Sequence, residues 1–158
     1  MKQLKCYNYD IVAQEIPDEI TLALNISGCP NRCPGCHSPW LWGDEGLEVN
    51  EHFLNLVLGK YGGDITCVCI MGGDQAPSSV NAVAAFIKSN YAGLKTAWYS
   101  GAEEISPLVE LSNFDFIKIG PYIQERGGLR SKNTNQIFYK VLESGKLERV
   151  KFSPKNAF

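Results

Sequence analysis

No stretch of this 158-residue chain approaches the roughly 18 consecutive apolar residues of a membrane span, so no membrane partner is expected. The opening MKQLKCYNYD has no apolar run behind its basic start, so no secretory leader is read there and a cytoplasmic location is expected. Charge of one sign is missing too. A net charge of −2 without a basic stripe gives no electrostatic case for nucleic acid. Repeats, low-complexity tracts and linkers are absent, and residues 1–158 read as a single domain. With 44% hydrophobic and 20% charged residues, the composition suits a packed core and argues against disorder.

What is present is a rhythm of apolar runs and helical patterns. Ile20 to Ile26, Ile65 to Met71, Leu94 to Tyr99 and Phe114 to Ile119 read as strands. Their near-continuous apolarity suits strands buried on both faces, as in a parallel sheet. Helices are expected from Asn50 to Leu58, with Asn50 as cap, from Ser78 or Ser79 to Ser89, and from Glu103 to Leu111. Leu4 to Val12 with Glu19 to Ile26, and Gln136 to Leu142 with Leu147 to Phe152, read as terminal β-hairpins. The fold class expected is therefore α/β: an open, partial (β/α) barrel of about five or six mostly parallel strands with hairpin extensions. Every core strand runs into a polar or glycine-rich turn, so the chemistry is expected on the rim formed by the strands' C-terminal ends.

Six cysteines in a chain with its own core point to metal, catalysis or packing rather than disulfides. Cys29, Cys33 and Cys36 form a C-x3-C-x2-C loop directly after the first core strand. Three such closely spaced thiolates suit zinc, copper(I) or an iron–sulfur cluster. Structural zinc wants a fourth ligand, which would have to be His37 or a distant Cys67 or Cys69. On a four-iron cluster, three cysteines leave one iron open to a substrate or cosubstrate. Cys67 and Cys69 share one face of a strand and, like Cys6, read as small core residues.

The loop ISGCPNRCPGCHSPWLW resembles the signature of the radical S-adenosylmethionine superfamily, and its CPGC form is similar to that of the activating proteins of anaerobic ribonucleoside-triphosphate reductases. Gly72 to Asp74, Ser100-Gly101, KIGPY from Lys118 and TNQ from Thr134 extend the resemblance along the chain. Two positions depart from the commoner superfamily pattern: Gly35 stands where an aromatic residue is usual, and Asp74 where glutamate is.

The resemblance implies a [4Fe–4S] cluster on Cys29, Cys33 and Cys36, with S-adenosyl-L-methionine chelating the open iron. It implies a 5′-deoxyadenosyl radical that installs a glycyl radical on the anaerobic reductase, with electrons from a flavodoxin or ferredoxin. No catalytic side chain beyond cluster and cosubstrate is implied. Gly72, Gly73 and Asp74 would approach the cosubstrate, Asp74 by accepting from its ammonium. Ser100 and Gly101 would contact its methionine or ribose part. Lys118, inside an apolar run, would face its carboxylate or else reach solvent. His37 would pack on the adenine or lie near the cluster, with a surface position the alternative. Asn135 and Gln136 would help close the pocket. Trp40 and Trp42 read as core or as part of a partner-binding rim, and the basic-glycine stretch from Glu125 to Lys132 as a mobile partner-facing loop. The rival readings are activation of another glycyl-radical enzyme such as pyruvate formate-lyase, a small-molecule radical enzyme, and a non-enzymatic iron–sulfur or zinc module.

Overall fold

A computed structural model describes residues 3–31, 41 and 43–151. The two helices form where the sequence offers a start signal and an apolar stripe. In α1 (Glu51–Tyr61) the Asn50 side chain accepts the Phe53 N–H, while Phe53, Leu54, Val57 and Leu58 are buried. Helix α2 (Pro77–Asn90) begins with proline, whose missing N–H costs nothing in a first turn, and buries Val80, Val83, Ala84 and Ile87. The helix expected from Glu103 to Leu111 does not form; only a 3-10 turn, Leu111–Asn113, follows that stretch. Pro107 sits in its middle, where the ring would remove a helical hydrogen bond and clash with the preceding turn.

The strands are β1 (Lys5–Val12), β2 (Thr21–Ile26), β3 (Leu47–Glu48), β4 (Cys67–Met71), β5 (Lys95–Tyr99), β6 (Phe116–Ile119), β7 (Ile137–Val141) and β8 (Leu147–Val150). They form one mixed sheet in the order β3-β1-β2-β4-β5-β6-β7-β8, and it is not closed. The four central strands, β2, β4, β5 and β6, are parallel to one another. The flanking pairs β1/β2, β1/β3, β6/β7 and β7/β8 are antiparallel. The expectation of five or six mostly parallel strands is corrected by this count, because β1 and β3 on one side and β7 and β8 on the other extend the central strands into one sheet by antiparallel pairing. Hairpins need only short connections, whereas each parallel pair needs a crossover.

Side chains alternate between the two faces of the sheet. One face carries Leu22, Leu24, Ile26, Val68, Ile70, Trp98 and Ile117, which pack with the buried stripes of α1 and α2. Among the described residues no helix covers the other face. Its middle row is small: Ala23, Cys69 and Ala97 lie side by side in register, followed by Phe116. Ile16, fully buried, caps this face together with Phe138, Leu129 and Val150. The β1–β2 connection that carries Ile16 is held there by side-chain donors: the Tyr99 hydroxyl donates to the Glu15 carbonyl and the Arg130 guanidinium to that of Gln14. No helix among the described residues is long and apolar enough to cross a membrane.

Candidate functional site

Two residues beyond the Ala23–Cys69–Ala97 row, the same face ends in a different row: Asn25, Met71, Tyr99 and Lys118, again side by side across the four parallel strands. These four line a cavity of ≈ 230 Å³ at the C-terminal ends of the strands. Cys29, Asn31, Gly72, Asp74, Gly101, Tyr122 and Gln136 complete its polar and glycine walls. The position is the one at which open α/β sheets bind ligands, where strands end and loops diverge.

The chain reaches Cys29 through a tightly specified bend. Ser27 is buried and its N–H donates to the Lys5 carbonyl. Gly28 has φ +74°, a left-handed conformation natural to glycine, and a Cβ there would press on the Gln75 amide at 3.1 Å. The Gly28 and Cys29 N–H groups donate to the carbonyls of Gly43 and Leu41 at 2.6 and 2.9 Å. Cys29 is thereby presented at the cavity, half-buried. Cys33, Cys36, His37, Trp40 and Trp42 lie outside the described residues.

Of the remaining sequence-predicted residues, Gly72, Asp74, Gly101, Lys118 and Gln136 line the cavity. Gly73 does not. A Cβ on it would lie 2.6 Å from Val80 Cγ2 and 3.4 Å from Leu4, so this glycine lets β4 turn closely against α2. Ser100 is buried behind the wall and bonds through its hydroxyl to Asp74 Oδ1 at 2.5 Å. Asn135 lines a smaller neighbouring cavity with Glu103, Gly120 and Pro121, and donates to the Pro121 carbonyl at 2.9 Å. The expectation of a mobile loop at Glu125 to Lys132 meets two internal ties: Arg126 donates to the Asn133 carbonyl at 2.8 Å, and Arg130 to that of Gln14.

Lys118 is 9% exposed, and its ammonium donates to the carbonyls of Ser100 and Gly120 at 3.0 and 2.9 Å. It places a buried positive charge on the cavity wall. Asp74 supplies the opposite charge on the same cavity. The other thiols are of a different kind. Burial pushes the Cys6 and Cys67 thiols up to about 12 and Cys69 well above its ordinary range, and none of the three lines the cavity. They are packed side chains, and Cys67 and Cys69 share one face of β4 as their spacing implies. Among the described residues no three His, Cys, Asp or Glu side chains gather as a metal site.

Sequence reasoning missed Asn31, Tyr99 and Tyr122. Asn31 carries the amide between the first two cysteines, and its signal was its place in the loop. Tyr99 shares strand parity with Ala97 and ends β5, so the period-2 pattern alone would have put it on the rim. Compared with known proteins, the chain matches no family model, and no curated protein or solved structure matches it at a significant level.

Proposed function

We propose that this protein is a radical S-adenosylmethionine enzyme that holds a [4Fe–4S] cluster on Cys29, Cys33 and Cys36 and activates an anaerobic ribonucleotide reductase by installing its glycyl radical. One observation carries the reading: Cys29, the first cysteine of the C-x3-C-x2-C loop, shares a strand-end cavity with a buried ammonium, Lys118, and a carboxylate, Asp74. The donor chemistry fits the group, since a thiol borders the cavity and the two charges complement a zwitterionic amino-acid head. When bound, cluster and cosubstrate would supply reductive carbon–sulfur cleavage and a 5′-deoxyadenosyl radical.

The chain's own residues bind and orient. Lys118 would hold the cosubstrate carboxylate, and Asp74 its ammonium. Leu41, Ile26, Met71 and Tyr99 give the cavity the apolar part of its wall. The four parallel strands at the centre of the open sheet bring these residues to one rim. The cavity at the strand ends would be where a loop of another protein is received, and a flavodoxin or ferredoxin would serve as electron donor.

Anaerobic reconstitution with iron and sulfide, then EPR of the reduced protein with and without S-adenosyl-L-methionine, tests the class. A [4Fe–4S]⁺ signal that changes on adding the cosubstrate is expected, and a glycyl-radical doublet when the reductase is included. A signal indifferent to the cosubstrate would make the protein an electron carrier. Zinc in place of iron would overturn the reading.

A further inference from the structure

Three donors from two different segments converge on the Asp74 carboxylate. The Ser100 hydroxyl donates to Oδ1 at 2.5 Å, and the Gly101 N–H and the Asn31 amide donate to Oδ2 at 2.8 and 2.6 Å. Gly72 and Gly73, at φ +107° and +89°, turn the chain out of β4 so that this carboxylate lies across the end of β5. Asn31 has two amide hydrogens, and the same nitrogen lies 3.8 Å from Cys29 Sγ. Gly101 is shaped for the contact: a Cβ there would fall 2.5 Å from the Asn31 nitrogen. With both lone pairs of Oδ2 taken, most of the acceptor capacity of Asp74 is turned toward the protein.

We propose that Asp74 is a positioning residue for the cysteine loop: it clamps Asn31 to the end of β5, and Asn31 holds the Cys29 thiol over the cavity. Outer partners that orient a ligand govern how firmly a metal group is held. The consequence for cluster retention rests on the functional reading above. The clamp itself does not, and it can be followed without any metal.

The two roles of Asp74 separate in its variants. Asp74→Asn can keep the clamp, since its amide oxygen can accept from Asn31 and Gly101 while its nitrogen donates to Ser100 Oγ. It loses the charge that an ammonium would need. Asp74→Ala loses both. The experiment compares Asn31→Ala, Asp74→Ala, Asp74→Asn and the double variant Asn31→Ala/Asp74→Ala.

In reconstituted protein without S-adenosyl-L-methionine, iron release to a chelator is expected to accelerate about 10- to 100-fold in both alanine variants. The double variant should be no faster than the faster single one, and Asp74→Asn should stay close to the parent. In metal-free protein, amide hydrogen exchange of the Gly28–Asn31 segment should accelerate about tenfold in Asp74→Ala, though that residue lies far away in sequence. Unchanged exchange in both alanine variants, or effects that multiply in the double variant, would overturn the clamp. If the parent protein takes up no iron, the functional reading falls and the exchange rates alone decide the clamp.

Discussion

The middle and the rim of the sheet face opposite α1 and α2 are two residues apart along each strand, and they are chemically opposite. Ala23, Cys69 and Ala97 form a dry row in which burial holds the Cys69 thiol protonated. One step further, Asn25, Met71, Tyr99 and Lys118 border a cavity shared with Cys29 and Asp74. The same strands, the same face and a shift of about 7 Å separate packing from potential chemistry. What changes is the backbone. Within the centre of the sheet each strand is paired on both sides. Beyond the last ladder bond the carbonyls of Ser100 and Gly120 are free to hold an ammonium, and the N–H of Gly101 to meet a carboxylate.

The comparison breaks most sharply at the cysteines. Cys29→Ser is expected to abolish retention of a four-iron cluster, whereas Cys67→Ala and Cys69→Ala retain it, as read by iron and sulfide per chain. Loss of iron on replacing Cys69 would place a packed thiol among the ligands and erase the distinction between middle and rim.

A smaller effect should follow from Lys118→Met. Removing one charge-assisted contact to a carboxylate should weaken S-adenosyl-L-methionine binding about 10- to 100-fold in an equilibrium titration. Cys69→Ala, in the dry row of the same face, should leave that affinity within about twofold. Equal losses in both would mean that the cavity responds to general packing, not to the ammonium.

The smallest effect is on stability at alkaline pH. The Cys67 thiol ordinarily titrates at 9.0 and in the fold at about 12. Above pH 9.0 the unfolded chain gives up a proton that the folded chain keeps. The thiol's contribution is therefore complete below that pH and is lost progressively as pH climbs toward the folded value. Each such thiol steepens the decline by up to about 1.4 kcal/mol per pH unit. Urea midpoints measured across this range should fall less steeply in Cys67→Ala than in the parent. An unchanged slope would mean that Cys67 titrates normally in the fold.

Much of this architecture was legible because its signals are local. The four central strands, both terminal hairpins and α1 with its Asn50 cap all follow from apolar period, turn residues and capping chemistry. The absence of a helix at Glu103 to Leu111 was legible too, in Pro107. Gly73 shows the opposite difficulty. Its neighbour Gly72 lines the cavity while Gly73 packs on Val80, and two adjacent glycines look alike until the helix is placed.

The sequence by itself determined the elements, the loop that presents Cys29 after β2, and the alternation that buries Cys67 and Cys69, because each depends on spacings of a few residues. Only the tertiary structure decided that Asn31 would meet Asp74, 43 positions away, or that Ser100 and Lys118 would share one network. Those contacts depend on the lateral register of four strands and on turns at their ends. Register is set by the collective packing of both faces and leaves no periodic trace in any one segment.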